Sequence, residues 1–473
     1  MTDREAFTAL LRTDMHSFIW KVFQTILPGE CYLRNWHVDA IVYQLLEVEA
    51  GRITRLIINQ PPRSMKSLCV SVAYVAWLLG HDPSRRIMVV SYSTELASEL
   101  HRQFRMLIDA PWYRAAFPRM RPKKDTGLEL VTTAGGSRYA ASVGGTLTGR
   151  GADLIIVDEP LKVEDAMSDL GRRRVNEWIG STLVSRLNDK KRGAILVVMQ
   201  RLHEDDLAGH LLEQGNWQNL ILPAIAEEDT LVQVGTDDFR LRRAGEALHP
   251  DRESRAVLEQ TRAEMGSVTF AAQYQQQPVA LVGNLIRREW LRFYDQPPQG
   301  ALDHIAQSWD VAMMTGESND YSVCTTWWMI GSDYYLIDLF HGRLQYPDLR
   351  RQIAKLAELH RADTVLIENA GPGMALLQDI RRDLPPGMPL PIGQKPDGSK
   401  VERMIAESAW IEAGHVHLPR HAPWRDALLH EWLAFPRGRH DDRVDSISQF
   451  LRWASKQRYY NMHAMSVGLP YVG

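Results

Sequence analysis

The stretch IINQPPRSMKSLCVS, residues 57–71, decides the fold of the first half of the chain. It combines an apolar strand, a turn and a helix that starts at Lys66-Ser67, which is the setting of a phosphate-binding loop. The pattern of such loops is G-x-x-x-x-G-K-[ST], and Gln60 and Met65 occupy the two glycine positions. By itself the stretch fits an altered nucleotide loop and a structural turn with an accidental Lys-Ser equally well.

A second motif favours the nucleotide loop. The stretch LIIVDEP, residues 154–160, is an apolar strand that ends in two carboxylates, which is the form of a Walker B motif. Asp158 at the strand tip is expected to hold Mg²⁺ through water, and Glu159 to polarise the attacking water. Because two adjacent carboxylates repel each other, this strand end indicates a functional site rather than a stability feature.

Further polar residues are expected at the same edge of the sheet. Arg63 adds a guanidinium near the phosphates, and the two prolines before it are expected to stiffen the turn. Gln200 and Arg201, at the end of the strand VVMQR, either sense the γ-phosphate or cap the strand. The predicted ATP site consists of Gln60, Pro61, Pro62, Arg63, Ser64, Met65, Lys66, Ser67, Asp158 and Gln200, with Ser67 and Asp158 holding Mg²⁺.

Two arginines are candidates for a catalytic arginine finger. Arg150 lies on the Gly-rich loop GGTLTGRG, eight residues before the Walker B aspartate. A loop arginine near an ATP site can reach the γ-phosphate bound by a neighbouring subunit. Arg138, in GGSRYAAS, is the rival candidate, and either residue can instead be a surface arginine.

Length and composition predict a globular protein of two domains. The chain has 473 residues, 45% hydrophobic and 24% charged residues, and a net charge of -3. A nucleic-acid partner therefore cannot be inferred from overall charge and would need local basic patches. The longest apolar stretch, residues 68–80, is about a dozen residues long and too short to cross a membrane.

The order of predicted elements divides the chain into three parts. Apolar strands at 55–60, 85–93, 152–160 and 193–201 alternate with helices, which predicts a parallel α/β sheet. Residues 223–285 are charged and turn-rich and are interpreted as a linker subdomain. Strands at 304–312, 321–330 and 333–342 then predict a meander, followed by a helix, a strand at 363–370 and two more helices. The predicted parts are an ATPase domain (1–222), a linker or lid (223–285) and a nuclease domain (286–473).

Acidic residues in the last part form the ligand set that an RNase H-like nuclease needs. Such nucleases gather carboxylates from separated strands on two metal ions. Asp310 lies in the strand QSWDVA, and Glu368 ends the strand TVLIE. Asp442 and Asp445 are three residues apart, hence on one face of a predicted helix, whereas Asp441 is more typical of a solvated residue. Oxygen ligands of this kind suit Mg²⁺ or Mn²⁺.

An ATPase half followed by a nuclease half resembles the large terminase subunit of tailed double-stranded DNA bacteriophages. The resemblance runs through most of the chain, and its order of motifs is specific. It rests on WHVDAIVYQLLEVEAGRITRLIINQPPRSMKS, DPSRRIMVVSYSTELA, GTLTGRGADLIIVDEP, MQRLHEDDLAGHLLE, FAAQYQQQP, SWDVAMMTGESNDYSV, VLIENAGPG, IEAGHVHLPRHAPW and FPRGRHDDRVDS. Met65 departs from the family's usual Gly-Lys.

The resemblance implies a fold, an activity and partners. The fold is a P-loop ATPase domain of the ASCE type with a parallel sheet, followed by an RNase H-like domain with a mixed sheet. The activity is ATP-driven packaging of double-stranded DNA through the portal of a procapsid, with metal-dependent cutting of concatemeric DNA. The partners are the portal protein, the small terminase subunit and further copies in a ring (a pentamer), in the host bacterial cytoplasm. The carried-over catalytic residues are Arg150, Glu159, Asp310, Glu368 and Asp442.

Three alternatives explain part of the sequence. A non-hydrolysing docking protein explains the substitution at Met65 but not the intact Asp158 and Glu159. A helicase-nuclease of repair or defence shares both chemistries, but the sequence offers no second RecA-like domain. A transposase or integrase explains the acids but not the ATPase half.

Overall fold

The computed structural model describes two compact units. The described residues are 2–147, 149–278, 285–296, 304–311, 321–396, 398–436 and 441–466, with side chains in the last helix given to residue 457. The first unit comprises Met1–Arg262 and Val268–Ala280, and the second Ala263–Ser267 and Leu281–Gly473. The described part of the segment interpreted as a linker therefore lies mostly in the first unit. Its division from the ATPase part at residue 223 stays a prediction.

The first unit is a sheet covered by helices. Its helices are α1 (Asp3–Thr13), α2 (Met15–Ile26), α3 (Trp36–Glu49), α4 (Val75–His81), α5 (Thr94–Asp109), α6 (Pro111–Ala116), α7 (Val163–Ala166), α8 (Asp169–Trp178) and α9 (Leu207–Glu213), with α10 (Arg255–Met265) and α11 (Ser267–Gln273) at its boundary. Its strands are β1 (Arg55–Asn59), β2 (Arg86–Ser91), β3 (Pro122–Asp125), β4 (Glu129–Thr132), β5 (Ser137–Ser142), β6 (Leu154–Asp158), β7 (Ala194–Met199), β8 (Gln218–Ile221), β9 (Thr230–Gln233) and β10 (Phe239–Arg242).

The predicted parallel sheet is confirmed. The strand order is β3-β4-β5-β2-β6-β7-β1-β8, and all strands from β5 to β8 in this order run parallel. Strands β6 and β7 are buried along their whole length, which explains their unbroken apolar sequences. Because the strands are parallel, β1, β2, β6 and β7 end at one edge, where the phosphate loop and the Walker B carboxylates lie. Strands β9 and β10 pair with each other as a separate antiparallel hairpin that the sequence did not predict.

The helix after the phosphate loop is wider than an α-helix at its start. Residues Leu68–Tyr74 form a π-helix, and α4 continues from it. Nearly all of this stretch is buried, as its apolar sequence predicts. Because π-helical turns are rare and occur frequently at functional sites, this one agrees with a special role for the loop before it.

The second unit contains a mixed seven-stranded sheet. Its strands are β11 (Arg292–Tyr294), β12 (His304–Asp310), β13 (Ser322–Ile330), β14 (Asp333–Gly342), β15 (Thr364–Glu368), β16 (Ile392–Gln394) and β17 (Val416–Pro419), in the order β11-β17-β14-β13-β12-β15-β16. Its helices are α12 (Tyr346–His360), α13 (Gly371–Arg382), α14 (Lys400–Glu412), α15 (Arg425–Ala434) and α16 (Asp442–Ser466).

The order of this sheet brings the acidic residues toward one another. β12, β13 and β14 form the predicted antiparallel meander, and β15 pairs parallel with β12. Ala312, the predicted end of the first strand, lies outside the described residues. Phe450 of α16 stacks on Trp327 of β13 with ring centroids 4.4 Å apart, so α16 is fixed across the sheet. No helix among the described residues is long and apolar enough to cross a membrane.

Candidate functional site

The phosphate loop and the Walker B strand end are in direct contact. Ser67 Oγ donates a hydrogen bond to Asp158 Oδ1 at 2.9 Å, and Lys66 Nζ lies 2.9 Å from Glu159 Oε1. Lys66 Nζ also lies 3.3 Å from the carbonyl oxygen of Pro61, so its ammonium is held inside the loop. An open cleft of about 500 Å³ adjoins these residues and is lined by Pro62, Arg63, Lys66, Tyr92, Glu159, Leu161, Lys162, Val163, Glu164 and Gln200.

The backbone of the loop is left-handed where a glycine is expected. Met65 has a φ of 64°, Arg63 a φ of 56°, and Glu159, across the cleft, a φ of 47°. Residues other than glycine rarely adopt this conformation, and such strain is concentrated at functional sites. Met65 thus provides the loop geometry that glycine usually provides, with its side chain packed against the core. Met65 therefore holds the left-handed conformation that glycine adopts most readily.

Residues outside the motif support the loop from behind. Ser64 Oγ donates to the carbonyl oxygen of Pro61 at 2.8 Å, and the ring Nε2 of His37 lies 3.2 Å from the carbonyl oxygen of Ser64. Burial lowers the pKa of His37 to about 4, so the ring is neutral and Nε2 donates. The guanidinium of Arg252 donates to the carbonyl oxygen of Arg63. These contacts give the carbonyl oxygens of Pro61, Arg63 and Ser64 partners from other side chains and so fix the turn.

Asp158 is a buried carboxylate whose negative charge is only partly balanced by the groups around it. It is 1% exposed and accepts hydrogen bonds from Ser67 and Ser71. Burial raises the pKa of Asp158 to about 6, with a further rise from Glu159, while the two serine hydroxyls and Lys66 lower it. A cation beside this carboxylate would be stabilised, so the oxygen donors of Ser67 and Asp158 fit the Mg²⁺ that accompanies ATP.

Several polar atoms at this sheet edge have no partner among the described residues. Asn59 Oδ1, both side-chain polar atoms of Gln60, Ser91 Oγ and Gln200 Oε1 are buried without a hydrogen bond. All four residues lie at the ends of β1, β2 and β7. Buried polar groups are nearly always paired in folded proteins, so this cluster indicates a place for water or a polar ligand. Gln200 also borders the cleft, and its role in the ATP site stays a prediction.

Arg201 is occupied by a structural network. Its Nε lies 2.9 Å and 3.0 Å from the two carboxylate oxygens of Asp206, which is fully buried. Its backbone N–H donates to Gln276 Oε1 at 2.9 Å. The contacts of Arg201 agree with a capping role at the strand end, and a phosphate contact of Gln200 stays a prediction.

The two candidate arginine fingers differ in access. Arg138 is 0% exposed, hydrogen bonded to His101 and packed over Phe104, so it cannot reach a neighbouring subunit in this conformation. Arg150 is partly exposed, but its guanidinium is paired with Glu129 and lies over the ring of Tyr139 at 4.0 Å. Arg150 is thus the more accessible candidate, and its role in trans stays a prediction.

A second cluster of charged side chains lies in the second unit. Asp310 and Glu368 end the parallel neighbours β12 and β15, whose last paired residues are Trp309 and Ile367. Burial raises the pKa of Asp310 to about 8, and the nearby carboxylates Asp445, Glu368 and Asp442 raise it further. Burial is also the main cause of the raised pKa of Glu368. Lys400 lowers the pKa of Asp310 without cancelling these effects, so a further cation beside this carboxyl group would be stabilised.

The first turn of α16 completes this cluster. Asp441 precedes the helix, and Asp442 and Asp445 lie in its first turn. Asp445 is 5% exposed, and its two oxygens are paired with Lys400 at 2.6 Å and with Arg403 at 2.7 Å. These contacts favour a positioning role for Asp445, so its predicted role as a metal ligand stays untested.

The five carboxylates of this cluster do not form a metal site in this conformation. Among the described residues, no three of the carboxylates Asp310, Glu368, Asp441, Asp442 and Asp445 each bring an oxygen within 4.8 Å of the other two. Their donor chemistry fits Mg²⁺ or Mn²⁺, but their spacing requires side-chain movement before one ion contacts three of them.

Two family models match the sequence in the order of the two units. The family described as terminase large subunit, T4likevirus-type, N-terminal, matches residues 57–293, half of the chain, and the terminase RNaseH-like domain matches residues 307–452. The chain belongs to the large terminase subunit family. The resemblance and the predicted fold class are therefore confirmed, and phage DNA packaging by ATPase and nuclease domains is the general function of the chain. None of the curated protein sequences matches it.

Solved structures of similar fold include large terminases of thermophilic bacteriophages. A large terminase from a thermophilic bacteriophage, solved in one crystal form, is 11% identical to this chain with a TM-score of 0.52. The match covers 87% of this chain and 98% of the terminase chain. The same protein in complex with ADP is 12% identical with a TM-score of 0.50, and covers 86% of this chain and 98% of its own. The large terminase nuclease of thermophilic phage G20c with bound magnesium is 18% identical over 36% of this chain and 97% of its own, with a TM-score of 0.29. At these identities the two matches with TM-scores of 0.50 and 0.52 show the fold alone.

Some site residues were not found from the sequence. Ser71 follows Ser67 by four residues, a spacing that places both hydroxyls on one helical face, and this signal was available. His37 and Arg252 support the loop from distant parts of the chain, and only the folded structure brings them there. Lys400 and Arg403 lie about forty residues before the acids that they contact, with no motif to mark them.

Proposed function

We propose that the chain uses ATP hydrolysis in its first unit to move double-stranded viral DNA through the portal into a procapsid. We further propose that the second unit cuts concatemeric DNA with divalent metal ions. Membership of the large terminase family supports packaging in general. The main support for ATP hydrolysis in the first unit is one observation. Lys66 and Ser67 contact Glu159 and Asp158 beside an open cleft.

In this proposal the loop binds the phosphates and the carboxylates prepare the attack. The backbone N–H groups of residues 63–67 and the ammonium of Lys66 would bind the phosphates, and Ser67 and Asp158 would hold the Mg²⁺. ATP would supply the γ-phosphoryl group that is transferred to water. Lys66 then moves from Glu159 to the phosphates, which leaves the carboxylate of Glu159 free to accept the proton of the attacking water. The thermophilic phage terminase of similar fold that forms a complex with ADP supports this use of the cleft.

Subunit contacts complete the proposed motor. Arg150 reaches the γ-phosphate of a neighbouring subunit after its ion pair with Glu129 opens. This requires a ring of copies, which we propose to be a pentamer docked on the portal and supplied with DNA by the small terminase subunit. The near-neutral net charge of -3 agrees with a translocase that must release DNA at every step.

The nuclease proposal rests on the acid cluster of the second unit. Asp310, Glu368 and Asp442 would hold the metal ions, which activate water and stabilise the leaving oxygen of the DNA strand. The position of Asp310 near the carboxylates of Glu368, Asp442 and Asp445 supports this role, because a divalent cation would offset their mutual repulsion.

ATP turnover tests the motor. ATP hydrolysis is measured with and without linear double-stranded DNA, portal protein and procapsids for the wild type, Glu159→Gln and the exposed-site control Glu177→Gln. We expect DNA-stimulated turnover that falls by at least about a hundredfold in Glu159→Gln alone. If the wild type is silent with all partners present, or if Glu159→Gln turns over normally, the proposed motor is wrong.

A further inference from the structure

Lys400 places an ammonium group inside the acid cluster. It is the first residue of α14, after the N-cap Ser399, whose capping box with Glu402 is complete. Its Nζ lies 2.8 Å from Asp441 Oδ1 and 2.6 Å from Asp445 Oδ2. The side chain is still 45% exposed, so it can move into solvent without disturbing the core.

Helix stability does not explain a lysine at this position. The N-terminus of a helix carries partial positive charge, and a cation there is unfavourable. The capping box already satisfies the end of α14 without any contribution from Lys400. Its contacts with the two aspartates are therefore the interactions that account for its placement.

Two cationic side chains neutralise part of the acid cluster while these contacts exist. Arg403, one turn further along α14, pairs with Asp445 Oδ1, so both oxygens of Asp445 are occupied by cations. In the described part of the second unit, no three of the five carboxylates lie close enough together to share one ion. An ammonium group inside the acid cluster repels a divalent cation and neutralises part of the negative charge that attracts it.

We propose that Lys400 competes with divalent metal ions for the acid cluster and so keeps the nuclease in a form of low metal affinity. The inference rests on the proposed nuclease function. Lys400 acts through Asp441 and Asp445 and is a positioning residue. Metal binds fully when Lys400 leaves these aspartates for another anion, and a phosphate of the DNA backbone is the anion that a nuclease meets. The nuclease is thereby restrained until a DNA strand reaches the acid cluster.

Metal affinity gives a test that does not depend on activity. Mn²⁺ binding to the full-length chain is measured by isothermal titration calorimetry, and the heat that disappears in Asp310→Asn is assigned to the nuclease site. The variants are Lys400→Met, which keeps the side-chain length without the charge, and Lys400→Arg, which keeps the charge. Lys355→Met, an exposed lysine on α12, is the control for loss of one surface charge.

We expect Lys400→Met to bind Mn²⁺ about tenfold more tightly than the wild type, with Lys400→Arg and Lys355→Met unchanged. Half-maximal nicking of supercoiled plasmid should shift to about tenfold lower Mn²⁺ in the same variant. Equal or weaker Mn²⁺ binding by Lys400→Met would overturn the competition while the nuclease itself stands. If no variant binds Mn²⁺ and none cuts plasmid, the proposed nuclease fails, and the competition with it.

Discussion

Met65 shows how a single residue can replace a glycine without a change of backbone geometry. Its φ of 64° lies in the left-handed region, which costs an ordinary side chain about 1–2 kcal/mol. The cost is offset where the side chain packs against the core of the first unit. The motif thus differs from the pattern in sequence but not in backbone conformation.

A β-branched residue at this position should disrupt the loop. We expect Met65→Val to weaken ATP binding by about tenfold, because valine tolerates the left-handed conformation poorly, and Met65→Gly to bind within about threefold of the wild type. Binding of a fluorescent ATP analogue measures both, with the exposed Met106→Val as the control. Equal affinity of the valine and glycine variants would show that the left-handed conformation is not needed.

Glu407 is a second residue whose behaviour depends on burial. It is 6% exposed, and burial raises its pKa to about 7, while Arg452, Ser455 and Lys456 lower it. The folded pKa lies above the unfolded one, so the protonated carboxyl is favoured by folding. Stability from this group is therefore present below about pH 4.5 and is lost as the pH rises to about 7.

Removal of this charge should stabilise the protein in a pH-dependent way. We expect Glu407→Gln to raise the free energy of unfolding by about 2 kcal/mol at pH 8 and by less than about 1 kcal/mol at pH 5. Urea unfolding at both pH values measures the difference, beside the exposed control Glu358→Gln. A gain that is the same at both pH values would contradict the titration of Glu407.

At the scale of elements, the Gln-rich segment after α11 works as a clamp. Gln275 is 5% exposed, and its amide makes two hydrogen bonds of 2.9 Å with the backbone N–H and C=O of Ile225. Gln276 binds the backbone of Arg201 at the end of β7. The sequence showed this segment only as part of a family resemblance, whereas the structure shows that it ties the segment around Ile225 to the edge of the ATP site.

Loss of the clamp should loosen this segment. We expect Gln275→Ala to lower the free energy of unfolding by about 2 kcal/mol, because both backbone groups of Ile225 lose their partner in a buried place. Gln277→Ala is the matched control, since Gln277 is exposed and its side chain pairs with Glu227 at the surface. Urea unfolding and limited proteolysis within residues 223–278 measure the effect, and similar results for both variants would argue against a clamp.

At the scale of the molecule, the two candidate sites lie in separate compact units, each with its own sheet. We therefore expect their activities to be lost independently. The Glu159→Gln variant should lose ATP turnover but still cut plasmid with Mn²⁺ at the wild-type rate. The Asp310→Asn variant should lose plasmid cutting but hydrolyse ATP at the wild-type rate. If either substitution removes both activities while circular dichroism shows a folded protein, the sites do not act separately.

The sequence by itself determined the elements and the family. Buried parallel strands must be apolar on both faces, so β1, β2, β6 and β7 were visible, and their polar ends marked Lys66, Asp158 and Glu159. The antiparallel meander was visible as three successive strands with short connections, and Asp310 and Glu368 stood out as acids in otherwise apolar strands. Such signals are local, because strand periodicity and motif spacing depend on neighbours along the chain.

Only the tertiary structure decided which charged side chains meet. It placed Arg138 inside the core, assigned Arg201 to Asp206, and brought Lys400 to Asp441 and Asp445. The hairpin of β9 and β10 was missed because its strands are short and mostly exposed. Contacts between residues far apart in the chain are set by packing and by the cost of burying charge, and neither leaves a pattern in the sequence near the residues concerned.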